Sequence, residues 1–211
     1  MTSLPQIPET KSEETDIWCP MCGEEYLIKF QSVIVNNVRF RCPICCPIGG
    51  LSRPGVWLDG ESSQIMLDHL LIWLGAYYWQ AITTGQVSCR FCEGGARASI
   101  CGPQDIPSQY TIRNVKESYG VMIVCSSCHR TETNTLSHCL FDLPQVQHFW
   151  HKHSRMRWYP VREVDYQGQP ALLGRFQSVI DKAGIDVICQ RETLEILQIQ
   201  ENQLNAQKPE R

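Results

Sequence analysis

A chain of 211 residues has room for one large domain or for two or three small ones. Hydrophobic residues make up 43% of it, enough for a folded core and too few for a membrane protein, and a formal net charge of −3 gives no overall field to draw it onto nucleic acid. Twelve cysteines are the outlying feature. The opening segment MTSLPQIPETKSEETD has neither a basic start nor an apolar run, so no secretory signal is expected. In a reducing, cytoplasmic compartment, clustered cysteines hold metal more often than they form disulfides.

Residues 1–16 are polar, broken by Pro5 and Pro8, and are expected to form a disordered tail. Residues 17–46 read as a first zinc ribbon. Cys19-Pro-Met-Cys22 and Cys42-Pro-Ile-Cys45 flank two β-forming runs, and Asn36-Asn37 offers a tight turn between them. A Cys-x-x-Cys turn lets two thiolates converge on one ion, and two such turns supply the four sulfurs of a tetrahedral site. Cys46 directly follows Cys45 and is an alternative fourth ligand. Residues 47–60, rich in Gly and Pro, form a linker.

Residues 61–84 predict a long apolar helix ended by Gly85. Met66, Leu70, Trp73 and Tyr77 form one row, and Leu67, Leu71, Leu74 and Tyr78 a second. Asp68 and His69 interrupt the apolar stretch, which excludes a membrane span. Such a helix is expected to be buried between the ribbons and the C-terminal region, with Trp73 and Tyr77 dominating its packing; a dimer contact is the alternative.

Residues 85–140 read as a second ribbon, with Cys89-Arg-Phe-Cys92, predicted strands at 97–100, 110–115 and 121–124, then Cys125-Ser-Ser-Cys128. The run CSSCHR admits three chemistries by itself: attachment of a c-type haem, a redox dithiol, or half a zinc site. A matching pair upstream is what a ribbon needs and haem attachment does not, so zinc is the favoured reading. His129 is then a surface residue, because four thiolates leave no place for a fifth donor. Cys101, Cys139 and Cys189 have no partner in sequence and read as small buried hydrophobes. Arg39, Arg41, Arg90 and Arg130 lie beside predicted ligands and offset thiolate charge. Two filled sites would take the chain to about −7.

Residues 141–200 read as an α+β unit. A helix starts at Pro144, with Val146, Phe149, Trp150 and His153 on one face. Strands are predicted at 159–166, 171–180 and 185–189, and residues 194–199 suit either a strand or a helix. Residues 201–211 form a polar tail. The group His148, His151, Lys152, His153, Arg155, Arg157 and Trp158 has the composition of a metal or nucleic-acid site, but a solvated basic helix face is the simpler reading. No nucleophile–base pair, phosphate-cradling glycine loop or suggestive carboxylate pair is present, so no catalytic residue and no enzyme activity is expected.

The stretch PQVQHFWHKHSRMRWYPVREVDYQGQPALLGRFQSV, preceded by VCSSCHR, resembles the C-terminal region of prokaryotic ArsR-type winged-helix transcription regulators, where a cysteine-bearing ribbon-like segment precedes a helix and a small strand meander. The resemblance covers residues 65–200 and is carried by the Cys-x-x-Cys pairs and by PxREVxxxGxPAL at 160–172. A winged helix of about 70–80 residues would be expected upstream, where this chain has a single ribbon. The resemblance therefore implies a regulatory or sensing module and carries over no DNA reading and no recognition helix.

The expected fold is α+β, small and metal-stabilised: two four-cysteine zinc ribbons, each a β-hairpin, joined by a long apolar helix and followed by a helix plus an antiparallel strand meander. The expected ligands are Cys19, Cys22, Cys42 and Cys45 for one Zn²⁺ and Cys89, Cys92, Cys125 and Cys128 for another. The expected function is a zinc-binding regulatory or interaction module, related to transcription regulators, whose C-terminal unit takes a protein partner or a small ligand. A nucleic-acid-binding zinc-ribbon protein is the alternative, followed by a thiol redox sensor in which oxidation ejects zinc.

Overall fold

Short β-forming runs joined by turns build most of this chain into antiparallel meanders. The computed structural model describes residues 11–20, 25–33, 37–41, 51–54, 63–106, 117–153 and 156–203. A first sheet has the order β1 (Lys11–Trp18), β2 (Glu25–Val33), β3 (Asn37–Arg41) and β4 (Leu51–Pro54). A second repeats this order with β5 (Gln86–Ser88), β6 (Gly95–Cys101), β7 (Gly120–Cys125) and β8 (Thr131–Thr135). The third contains β9 (Met156–Trp158), β10 (Arg162–Tyr166), β11 (Gln169–Ser178), β12 (Ala183–Gln190) and β13 (Ile196–Gln203), in which β11 pairs with β9, β10 and β12. All pairings are antiparallel. The α-helices among the described residues are α1 (Ser63–Thr84), α2 (Ser137–Leu140) and α3 (Pro144–His153). The protein is thus α+β, with antiparallel sheets and few helices.

The first two sheets are larger than the hairpins expected from sequence. Residues 11–16, expected in a disordered tail, lie in β1, and residues 51–54, expected in a linker, form β4. The third sheet also runs past residue 200 to Gln203, into the expected polar tail. β1 and β4 are edge strands, and an edge strand needs only one ladder of backbone hydrogen bonds, with no apolar face to reveal it. The expected strand 110–115 and the turn at Asn36 lie outside the described residues. In the third sheet, residues 196–203 resolve as a strand, because pairing with β12 satisfies their backbone.

α1 is the centre of the packing. Leu67, Leu70, Leu71, Leu74, Tyr78 and Ala81 are all buried, and the helix ends where Gly85 takes a φ of +69°. It packs on β1 and β4 of the first sheet, on β5, β6 and β7 of the second, and on α2. Trp73 and Tyr77, expected to dominate, are only partly buried and stack on each other at 5.6 Å; the second row, with Tyr78, carries the core instead. The reason is geometric: Tyr78 lies where α1 meets α2 and reaches β8, against His138 and Glu132, while Trp73 and Tyr77 beside it sit at the rim. No helix among the described residues is long and apolar enough to cross a membrane.

A single apolar cluster runs from Cys19 through α1 to Val121 and Ile123 of β7 and on to Leu140, Phe149, Phe176 and Val187. On α3, Val146, Phe149 and Trp150 are buried, as their spacing predicts, while His148, His151 and Lys152 are exposed. Trp158, read from sequence as part of a basic surface group, is instead in the core against His138, Phe141 and Phe176. The first sheet is tied to the third where Trp18 Nε1 donates to the Met156 carbonyl at 2.9 Å and the Trp158 amide donates to the Pro20 carbonyl at 2.8 Å.

His138 is fully buried between Tyr78 and Trp158, and desolvation, aided by the charge of Arg90, pulls its imidazole down to about 3. The unfolded chain titrates near about 6.5 and takes up a proton that the native state refuses, so stability is lost as pH falls from there toward the folded value. Between pH 7 and pH 5, wild type should lose about 2 kcal/mol more unfolding free energy than His138→Leu, read from urea denaturation at each pH. In the same assay at pH 7, Leu71→Ala should cost about 2–5 kcal/mol, and Trp73→Ala clearly less.

Candidate metal centre

Two of the turns in the second sheet have one design. In the β5–β6 connection, Ser88 pairs with Gly95, and the Cys89 amide donates to the Gly94 carbonyl at 2.8 Å. Within it, the Glu93 amide donates to the Cys89 carbonyl at 2.9 Å and the Phe91 amide to Cys89 Sγ at 3.4 Å. In the β7–β8 connection, the Cys125 amide donates to the Arg130 carbonyl at 3.0 Å, and the Ser127 and Cys128 amides donate to Cys125 Sγ at 3.3 and 3.4 Å. The residue after the second cysteine of each turn, Glu93 and His129, is left-handed, with φ of 58° and 56°. This reversal lets the chain leave each turn antiparallel to its entry while both sulfurs stay on the inner side.

The turns face each other. Ser126 donates through both its amide and its hydroxyl to the Gly95 carbonyl, at 3.0 and 2.7 Å. A Cβ at Gly94 would lie 2.3 Å from Ser127 Oγ and 2.7 Å from its Cβ, so the approach leaves room only for glycine or for a displaced serine. Cys89 and Cys125 are buried, Cys128 is half-buried and Cys92 is exposed.

The four sulfurs of Cys89, Cys92, Cys125 and Cys128 all lie within 4.8 Å of one another. Cys89 Sγ is 3.8 Å from Cys128 Sγ, and Cys92 Sγ is 3.5 Å from Cys125 Sγ. Bonds of about 2.3 Å from one central ion to four tetrahedral sulfurs require sulfur–sulfur edges of about 3.8 Å, so the set fits a metal ion. A disulfide would require about 2.05 Å, and these cysteines are free. Both sulfurs of CSSCHR thus face the upstream pair, while His129 is exposed and is not one of the clustered groups.

Protonation within the set is uneven. The Cys128 amide and the neighbouring donors draw the Cys125 thiol down to about 6. The Gly94 backbone pulls Cys92 down, but its hydrogen bonds with the Cys125 and Cys128 sulfurs outweigh this and push it up to about 12. Four thiolates at this separation repel, and a divalent cation at their centre lets all of them ionise. Four sulfur ligands complete a tetrahedron, leaving no open position for substrate or water, the pattern of a structural site.

Of the other expected ligands, Cys19 is described and buried, and Cys22, Cys42 and Cys45 lie outside the described residues, as does Cys46. Cys101, Cys139 and Cys189 are buried, and burial raises each of their thiols above the ordinary range. Glu132 carries no signal in the sequence. Arg90, expected to offset thiolate charge, is paired with Glu132 on β8, and Glu132 also accepts a hydrogen bond from Tyr78. Nothing local in a polar strand reading TETNT marks its glutamate as the partner of an arginine 42 positions earlier.

No family model matches this chain, and no curated protein or solved structure matches it either. The resemblance to ArsR-type regulators therefore rests on the sequence stretch alone.

Cys125→Ser should abolish folding of the second sheet, since structural zinc in finger peptides is worth about 10–16 kcal/mol. Cys101→Ser, at a buried site outside the cluster, should cost only about 1–3 kcal/mol. Thermal melts of the two variants distinguish the assignments, and equal shifts would remove Cys125 from the ligand set.

Proposed function

We propose that this chain is a zinc-stabilised regulatory or interaction module, with structural Zn²⁺ held by Cys89, Cys92, Cys125 and Cys128. The observation that carries the reading is the convergence of four sulfurs from two turns, with edges of 3.5 and 3.8 Å. An all-sulfur tetrahedral set suits zinc, which has no geometric preference of its own and binds thiolate strongly.

A second zinc belongs to the same proposal, held by Cys19, Cys22, Cys42 and either Cys45 or Cys46. Its support is the repeated topology. In both four-stranded sheets the first and third connections carry the cysteine pairs. In the first sheet, Trp18 pairs with Glu25, Lys29 with Arg41 and Phe40 with Leu51, so both cysteine-bearing connections leave from the same end. The second sheet has the same arrangement, with Ser88 opposite Gly95, Ala96 opposite Cys125 and Val124 opposite Thr131.

The C-terminal unit is the part that takes the partner or ligand. The stretch that carries the resemblance to ArsR-type regulators, residues 160–172, forms β10, its turn and the start of β11. Val179, Ile180 and Leu197 in the same unit are exposed, Ile180 at 65%, and supply apolar contact area. A regulatory role without groove reading is supported by α1, whose apolar rows are spent on the protein core. Two filled sites would also give a net charge of about −7, unfavourable for duplex DNA.

Elemental analysis of protein purified under reducing, metal-replete conditions should give two zinc ions per chain and no covalent haem. One zinc would confine the reading to the second sheet, and none would end it. Salt-dependent, sequence-selective binding to duplex DNA at nanomolar concentration would replace it with the nucleic-acid reading.

A further inference from the structure

Arg90 stands between two of the four cysteines, yet its side chain is only 12% exposed and turns inward, toward the contact between β8 and α1. Its guanidinium grips Glu132 with two prongs: Nε donates to Oε2 at 2.9 Å and Nη2 donates to Oε1. The same Oε1 accepts from the hydroxyl of Tyr78, which in turn accepts from Asn134 Nδ2 at 3.2 Å. Tyr77, the preceding residue of α1, donates its hydroxyl to the carbonyl of Ser88, immediately before Cys89, at 3.2 Å, and its ring lies 5.7 Å from the Arg90 guanidinium. Two successive tyrosines of the central helix thus hold both flanks of the first ligand of the cluster.

The energetics make this arrangement conditional. Glu132 is 15% exposed and Tyr78 fully buried, so the carboxylate is tolerable there only while a cation faces it. The position of that cation is set by the shape of the 89–94 turn, and the turn is drawn to its partner by the sulfurs. When the sulfurs lose a shared ion, the turn is released and Glu132 loses the guanidinium, with Tyr78 left hydrogen-bonded to an uncompensated buried charge. Tyr78 packs on His138 of α2, so the disturbance lies one contact from the C-terminal unit.

We infer that occupancy of the four-cysteine site is transmitted to α1 through Arg90, Glu132 and Tyr78, which makes the chain a metal-responsive switch as well as a metal-stapled fold. The inference rests on the reading that the cluster binds metal and adds a direction to it: the packing of α1 and the affinity for the ion are linked, and linkage is reciprocal. Glu132 and Tyr78 are positioning residues, acting on the ion only through Arg90 and the turn that bears it.

The test uses the full chain and Zn²⁺, with affinity measured by competition against a chromophoric chelator at pH 7. Glu132→Gln should weaken zinc binding about tenfold, within the range of ordinary coupling energies, and Tyr78→Phe should weaken it less. Asp186→Asn is the control, because it breaks a carboxylate–guanidinium pair of the same kind, Arg175 Nε to Asp186 Oδ1 at 2.7 Å, on the third sheet. A distant site should leave the affinity within about twofold of wild type. Should Glu132→Gln fail to fold, Tyr78→Phe carries the test, since it keeps both the ring and the Arg90–Glu132 pair. Hydrogen exchange supplies the second readout: removing zinc from wild type should lower protection across residues 74–84. Equal affinities in wild type and both variants, an equal loss in the control, or exchange in 74–84 indifferent to zinc would each overturn the inference while leaving the metal site standing. A wild type that binds no zinc would overturn both.

Discussion

Four thiols drawn to within 4.8 Å of one another repel as they ionise, and the second sheet keeps its two turns face to face only by answering that repulsion. Without a cation the set retains a proton: against the pull of the Gly94 backbone, hydrogen bonds with the Cys125 and Cys128 sulfurs push Cys92 up to about 12, while the Cys128 and Ser127 amides draw Cys125 down to about 6. A divalent ion answers it better, because every sulfur then acts as ligand and none must hold a proton. The remaining geometry of the sheet follows from this requirement: amides aimed at sulfur, left-handed Glu93 and His129, and a glycine where the turns meet. The apolar inner face of this sheet is small, with Ala96, Val121, Ile123 and Cys125 buried and Val87, Ala98 and Ile100 partly buried against the core, and a sheet with so little core gains most from an internal cross-link.

α1 solves the complementary problem. Two sheets with polar outer strands and a third with its own helix cannot share a core unless something apolar stands between them. A helix with two apolar rows does this, and the cluster it organises extends from Cys19 to Val187. The arrangement also explains the buried polar groups near its C-terminal half. Tyr78, Glu132, Arg90 and Asn134 satisfy one another where the helix meets the cysteine-bearing turn, so the seam between the second sheet and the helix is polar and specific while the rest is apolar. A polar seam has alternatives that an apolar one lacks: its members can be uncovered by losing a single partner.

The recurrence of one meander in the first two sheets gives the N-terminal two-thirds of the molecule a common logic. Each sheet has its cysteine pairs in the first and third connections, and each has arginines close to them in sequence: Arg39 and Arg41 in the first, Arg90 and Arg130 in the second. In the second sheet these arginines are put to structural use. Arg90 closes on Glu132, and Arg130 lies 4.7 Å from the ring of Phe91, which is half-exposed at the tip of its turn. In the second sheet the basic residues beside the cysteines are therefore committed within the protein before any outside partner is considered.

What the sequence by itself determined was whatever local periodicity or spacing encodes. The pairing of Cys89 and Cys92 with Cys125 and Cys128 was legible because each Cys-x-x-Cys is a self-contained turn and two of them make one coordination set. The apolar helix was legible from its rows, its end from Gly85, and α3 from Pro144 and the spacing of Val146, Phe149 and Trp150. Tertiary structure alone decided the rest. β1, β4, β5 and β8 are edge strands held by backbone hydrogen bonds, and such bonds leave no side-chain pattern to read. Which row of α1 faces the core, and hence that Tyr78 rather than Trp73 is enclosed, depends on where α2 and β8 dock. Trp158 looked like a member of a basic surface because its sequence neighbours are charged, and a strand sends alternate residues to opposite faces. The grip of Arg90 on Glu132 joins a turn to a distant strand, with Tyr78 of the helix bound to the same carboxylate; a contact of that kind has no local signature, because the burial that makes it strong exists only once the chain has folded.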